Sequence, residues 1–126
     1  MGWPCRKVLI STRGRINILG RSKEQDLFAW TEKHTLASEQ PKLYAISLPK
    51  DDLITNVIAK EKIFVVNFFE TLMKEKEHDK RKEDARTLDC SRIHDADYHL
   101  ECEVIDALTT GSTTTFIGKI TSGTLP

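Results

Sequence analysis

Phe64-Val65-Val66-Asn67-Phe68-Phe69 joins two β-branched valines to three aromatic rings with no charge between them. Branched and aromatic side chains are crowded in a helix and fit well on a pleated surface, so this run predicts a central strand. Just upstream, Leu53, Ile54, Val57 and Ile58 repeat with a helical offset before Lys60-Glu61-Lys62, and Asp51 or Asp52 stands where a cap belongs. A second helix of the chain is expected there. Before it, Pro41 introduces Lys42 to Leu48, whose Leu43, Tyr44, Ala45, Ile46 and Leu48 form an apolar run of strand length.

Downstream, Leu100, Cys102 and Val104 alternate with Glu101 and Glu103, which predicts a strand with one wet face. Thr113 to Ile120 repeats that message, with Thr110-Gly111-Ser112 as the turn between the two. Between the central run and this hairpin, Glu70 to Arg86 carries charges of both signs. Its Glu70/Lys74 and Glu77/Arg81 spacings suit one helix face, so a solvated helix is expected.

Toward the N-terminus, Lys7 to Thr12 reads as a first strand ended by Arg13-Gly14, with Arg15 to Leu19 as its hairpin partner. Ser22 followed by Gln25 forms a capping-box pattern. Leu27, Trp30, Thr31 and His34 follow at helical spacing, which predicts a short first helix.

The chain has 126 residues, so one domain spanning 1–126 is expected, since domains commonly run to roughly 100–150 residues. A hydrophobic share of 39% and a mean hydropathy of -0.39 suit a globular protein. Nineteen basic and nineteen acidic residues balance, which removes any net pull toward nucleic acid or an anionic membrane. Met1 to Lys7 holds no apolar run of signal or membrane-span length, so a cytoplasmic location is expected. Cys5, Cys90 and Cys102 are odd in number and widely spaced, fitting free thiols better than disulfides or zinc.

The order of these segments resembles the flavin reductase-like FMN-binding family, a mostly β fold built as a split β-barrel around a Greek key. Val8-Leu9-Ile10-Ser11-Thr12 followed by Gly14-Arg15-Ile16-Asn17 is similar to the family's Thr-Thr strand end and Gly-x-x-Asn turn. Pro41, Tyr44-Ala45-Ile46-Ser47-Leu48 and Ile63-Phe64-Val65-Val66-Asn67 follow its Pro-Pro, Ser-Leu and Phe-Val-Val-Asn order. His99 to Val104 and Phe116-Ile117-Gly118-Lys119-Ile120 look like its last two strands. The sequence departs from the pattern in an apparent insertion between Leu19 and Thr35. Gly111-Ser112-Thr113 also stands where the family has Gly-Asp-His. The barrel is expected to be minimal or completed by a partner subunit.

The resemblance implies FMN as cofactor and NADH or NADPH as co-substrate. It places Ser11, Thr12, Asn17 and Asn67 near the flavin, with Ser47, Lys50 and Thr55 toward its phosphate. Read from the residues alone, a phosphate would favour the helix start at Ser22, flanked by Arg21 and Lys23, over the one at Asp51-Asp52, whose carboxylates oppose a dianion. The two readings disagree, and each hydroxyl could equally bond its own backbone. Trp30 could stack on the ring or cover a subunit seam, and packing of a helix on the barrel explains it better. His94 to His99 invites a metal, but strand alternation splits His94 from Asp95, and no metal ligand is assigned. Ser, His and Asp occur without a nucleophile elbow.

A flavin reductase-like oxidoreductase, passing hydride or electrons through FMN to an acceptor, is the expected function. Its alternatives are an FMN-holding electron carrier without nicotinamide activity and a degenerate barrel acting as an interaction protein. A homodimer with flavin at the seam is implied by the resemblance, with a redox partner protein as a further expectation. Neither nucleic acid nor membrane is expected as a partner.

Overall fold

The computed structural model describes residues 7–69 and 82–125. Its elements run β1 (Val8–Ile18), β2 (Arg21–Thr31), β3 (His34–Glu39), β4 (Lys42–Pro49), α1 (Leu53–Glu61), β5 (Ile63–Phe68), β6 (Lys82–Asp84), β7 (Ser91–Ile93), β8 (Tyr98–Thr110) and β9 (Thr113–Gly123). Seven of the strands form an antiparallel sheet in the order β2-β1-β5-β8-β9-β4-β3, and β6 pairs with β7 separately. The two ends of the sheet curl toward each other. Thr31 Oγ1 at the end of β2 donates to Ser47 O of β4 at 2.8 Å, and Ser47 N donates to Lys33 O at 2.9 Å. No ladder joins β2 to β4, so the barrel is split, and the fold is mostly β with a single helix among the described residues.

The predicted central strand is β5, buried on both faces. Phe64, Val66 and Phe68 enter the main core with Tyr44, Ile46 and Phe116, while Val65 packs with Leu88 and Cys90. Each fully buried side chain of this kind contributes about 1.5–3 kcal/mol relative to exposure. The strand at Lys42–Leu48 and the helix from Leu53 form as expected, although Asp52 at the N-cap makes no side-chain cap bond. The hairpin of β8 and β9 turns at Gly111-Ser112, where Gly111 takes φ +61°.

Three expectations are corrected. The N-terminal hairpin turn is not at Gly14: β1 runs unbroken through it and reverses at Leu19-Gly20, with φ 51° and 79°. Gly14 serves packing, since a Cβ there would clash with Val57 Cγ1 of α1. The helix predicted from Ser22 is strand β2, with Ser22 opposite Asn17 and Gln25 opposite Gly14. Leu27 and Ala29 face the main core while Phe28 and Trp30 face a second cluster around Leu9, Phe69 and Ile93, a period of two that only a strand satisfies. The ladder to β1 along eleven residues outweighs one local cap. Most of the helix predicted over Glu70–Arg86 lies outside the described residues, and its described Lys82–Asp84 portion is strand β6.

Cys90 and Cys102 are buried free thiols, and burial raises both, Cys90 to about 12. Both therefore stay protonated and unreactive. Cys5 lies outside the described residues. Among the described residues no helix is long and apolar enough to cross a membrane.

Candidate functional site

The residues that sequence reading assigned to a cofactor fall into three places. Ser11, Thr12 and Asn67 are fully buried, with Ser11 and Asn67 on the face of the sheet opposite the main core, beneath β7. Ser11 Oγ donates to Ser91 O at 2.7 Å and Thr12 Oγ1 to Ile63 O at 2.7 Å. The Asn67 amide donates to Leu9 O at 2.8 Å and to Ser11 Oγ at 3.2 Å, while its oxygen accepts from Ile93 N at 2.9 Å. These groups tie β1, β5 and β7 together. Asn17 stands apart, exposed near the far end of β1.

Ser47, Lys50 and Thr55 occupy the third place, where β4 passes into α1. Ser47 Oγ shares a 2.7 Å hydrogen bond with Thr115 Oγ1 across to β9, Lys50 N donates to Ser112 O at 3.0 Å, and Thr55 Oγ1 donates to Pro49 O at 2.7 Å. Beside Ser47 opens a cleft of about 290 Å³. Trp30, Leu48 and Pro49 give it an apolar wall, and Thr31, Glu32, Lys33, Ser47 and Thr113 give it a polar one. Neither the Lys33 nor the Lys50 ammonium is engaged by a described residue, and the Thr113 hydroxyl is equally free.

Sequence reading missed Thr31, Glu32, Lys33 and Thr113. Because the capping-box pattern at Ser22 suggested a helix, the β2–β3 turn at Glu32-Lys33 was hidden. Reading Leu27 to Trp30 with a period of two would have placed that turn at a strand end. The same correction removes the phosphate site expected at Ser22, since no helix begins there. At the one helix start described, Asp51 and Asp52 are exposed and unfavourable to an anion.

The opposite face carries a network of paired charges. Arg13 bonds Asp26 at 2.7 Å and Asp89 at 3.1 Å, and its hydrogen bond to Asp26 raises the guanidinium further. Arg92 joins Glu83 at 2.7 Å and the fully buried Glu101 at 3.2 Å. Glu101 also accepts Arg86 N at 2.8 Å, Thr87 N at 2.6 Å and Thr87 Oγ1 at 2.8 Å. Burial pushes its carboxyl up, but these donors outweigh burial and hold it below the usual carboxylate range. His99, whose ring nitrogen meets Ile93 O at 2.5 Å, is lowered by burial. His94 pairs with Glu83 at the surface. Among the described residues no group of three or more His, Cys, Asp or Glu is placed to hold a metal ion.

Further hollows open among the described residues. One of about 580 Å³ brings Arg13, Arg15 and Lys62 together with Glu24, Glu61, Asp89 and Glu103, so its acids outnumber its bases. Another of about 450 Å³ lies between Arg86, Arg92, His99, Ser122 and Thr124. The cleft beside Ser47 sets the Trp30 ring against the Lys33 ammonium, which no described residue engages.

A model of the flavin reductase like domain matches residues 8–126. The chain belongs to this flavin reductase like family. Solved structures agree with that membership in fold. An FMN-binding protein from Thermus thermophilus with bound p-hydroxybenzaldehyde superposes with a TM-score of 0.73 at 17% identity, over 93% of this chain and 69% of that one. An NADH:FAD oxidoreductase of Streptomyces globisporus gives 0.70 at 18%, over 96% and 72%. A flavoredoxin from Methanosarcina acetivorans gives 0.64 at 18%, over 94% and 68%. Among curated proteins no sequence match is found. Membership of the flavin reductase like family supports a flavin-related oxidoreductase.

Proposed function

We propose that this single domain is an FMN-binding oxidoreductase of the flavin reductase type, holding its cofactor at the cleft between Trp30–Lys33 and Ser47–Pro49. The observation that carries this reading is the donor set: the Lys33 ammonium, which no described residue engages, lines the cleft beside the Ser47 and Thr113 hydroxyls and the Trp30 wall, and Lys50 follows Pro49 at its edge. A flavin mononucleotide needs a cationic end for its phosphate, hydroxyl and N–H donors for its ribityl chain, and a dry flat wall for its ring. The residues present fit that demand, with Glu32 in the cleft wall and Asp51 and Asp52 next to Lys50 as the opposing charges.

When bound, the flavin supplies the transfer of hydride or electrons to an acceptor. The chain's part is to orient and protect it. Lys33 and Lys50 attract the phosphate, Ser47 and Thr113 offer hydroxyls, and Trp30 with Leu48 and Pro49 excludes water from the ring. Ser11, Thr12, Thr55 and Asn67 hold the strands behind the cleft, and Asn17 stands outside it. Neutral donors suit this work, because they stabilise negative charge on a reduced ring without losing a proton. By family resemblance the protein works as a homodimer in the cytoplasm.

The test is a visible absorption spectrum after adding excess FMN and desalting. Flavin bands that travel with the protein, together with quenching of Trp30 fluorescence, are the expected result. A colourless protein with no affinity at high FMN would end this reading. A second reading, an FMN-holding electron carrier, is favoured by Thr113 in the cleft wall where the resemblance expects histidine. Bleaching of the bound flavin by NADH or NADPH distinguishes the enzyme from the carrier.

A further inference from the structure

Between β5 and β8 the chain leaves the main sheet, and its described residues 82–93 cross the face of β5 opposite the main core as a strap. Strand β6 pairs with β7, and Ala85 N donates to Cys90 O at 2.9 Å, so the strap's backbone bonds run within the strap. Among the described residues no backbone-to-backbone hydrogen bond joins 82–93 to the seven-stranded sheet. Strand β5 beneath it needs none, because β1 and β8 flank it on either side.

Side chains hold the strap instead. Ser11 Oγ donates to Ser91 O at 2.7 Å, and the Asn67 oxygen accepts from Ile93 N at 2.9 Å. Asp26 of β2 accepts from Ser91 Oγ and from Lys82 Nζ, each at 3.0 Å. Arg13 of β1 donates to Ser91 Oγ at 3.0 Å and to Asp89 at 3.1 Å. The apolar seal is small: Leu88 and Cys90 pack on Val65, and Ile93 packs with Leu9 and Phe69. A segment with few buried apolar contacts opens at lower free energy than the core around it.

Glu101 of β8 makes the most bonds to the strap. Fully buried, it accepts from Arg86 N, Thr87 N and Thr87 Oγ1 ahead of Leu88 and from Arg92 Nη1 beyond Cys90, so one carboxylate grips both ends of the strap's turn. Thr87 Oγ1 also meets Thr121 Oγ1 of β9 at 2.6 Å. The same turn walls two hollows: Thr87, Leu88 and Asp89 line the 580 Å³ one, and Arg86 and Arg92 line the 450 Å³ one.

We propose that residues 82–93 form a lid that opens as a unit while the seven-stranded sheet stays folded, with Glu101 as its latch. Opening joins the two hollows into one groove floored by Val65 and Glu101. This motion lies apart from the cleft beside Ser47 and does not depend on the flavin reading.

Thiol labelling separates a lid from ordinary unfolding, because Cys90 rides on the lid and Cys102 lies in the main core. The full chain is pulsed with iodoacetamide over a series of urea concentrations, and peptide mass spectrometry reads each thiol against its own rate in the unfolded chain. Without urea, Cys90 is expected to be about tenfold or more less protected than Cys102, with a shallow urea dependence where that of Cys102 is steep. Glu101→Gln is expected to speed Cys90 roughly tenfold to a hundredfold and to keep its shallow dependence. Equal protection and equal urea dependence of the two thiols overturn the lid, since the strap then leaves only when the sheet unfolds. A Cys90 rate unchanged by Glu101→Gln overturns the latch. Should that variant fail to fold, Thr87→Val removes one donor to Glu101. Cys90 labelling roughly threefold to tenfold faster is then expected, and an unchanged rate overturns the latch.

Discussion

The face built from residues 82–101 and the cleft beside Ser47 use similar polar side chains in opposite ways. On the first, Arg13, Lys82 and Arg92 are each committed to a carboxylate, and buried Glu101 accepts from two backbone N–H groups, a hydroxyl and a guanidinium. In the second, no described residue engages the Lys33 ammonium or the Thr113 hydroxyl, and the same holds for Lys50 at the cleft's edge. Committed groups fix the chain, and uncommitted groups beside an aromatic wall are available to a ligand. The difference teaches that a buried polar residue is a poor guide to a cofactor here, because burial and a full set of partners go together.

Removing Glu101 should break the first region most severely. Glu101→Ala leaves Arg92 Nη1 and the Arg86 and Thr87 amides without their acceptor, and should cost about 3–5 kcal/mol in urea unfolding. A loss below about 1 kcal/mol would show that the carboxylate clamps nothing. Next, Asn67→Ala strands the Ile93 amide and two acceptors, and should cost about 1–3 kcal/mol by the same measurement. If Asn67 instead touched flavin, the loss would appear in FMN affinity with stability unchanged.

Acid should sharpen the contrast. Asp26, Glu83 and Glu101 all lie below their ordinary values in the fold: for Asp26 and Glu101 hydrogen bonds and nearby cations outweigh the upward push of burial, and Glu83 is lowered first by its bond to His94. Groups with depressed folded values add stability that is present above the unfolded value, about 4, and lost as pH falls through the folded ones. The melting temperature should therefore fall steadily below about pH 4. A flat profile there would mean that these pairs contribute nothing. The smallest stability effect belongs to the cleft. Lys33→Ala with Lys50→Ala should change unfolding by less than about 0.5 kcal/mol, yet weaken FMN roughly tenfold in a fluorescence titration. Equal FMN affinity in this variant would move the phosphate elsewhere.

Strands β4, β5, β8 and β9 and helix α1 were legible because their hydrophobic periods are unambiguous and agree with local turn chemistry at Pro41, Lys62 and Gly111. Strand β2 was not. Leu27 and Trp30 satisfy a helical spacing as well as a strand's, and only the ladder to β1 chooses between them. With β2 misread, Glu32-Lys33 could not be recognised as a turn, and so the candidate cleft was only half visible, through Ser47 and Lys50. Ser11, Thr12 and Asn67 were found as polar residues at strand ends, but their bonds to Ser91, Ile63, Leu9 and Ile93 cross separations that spacing cannot reveal.

By itself the sequence determined a mostly β domain, its family resemblance and the order of its later elements, because these follow from side-chain period and local backbone preference. Tertiary structure alone decided which glycine turns the chain. Leu19-Gly20 reverses it, while Gly14 makes room for Val57. It also decided which polar groups are consumed in holding strands together and which cations remain free. Hydrogen bonds and close contacts between distant segments settle those questions, and they exist only once the barrel has brought those segments together.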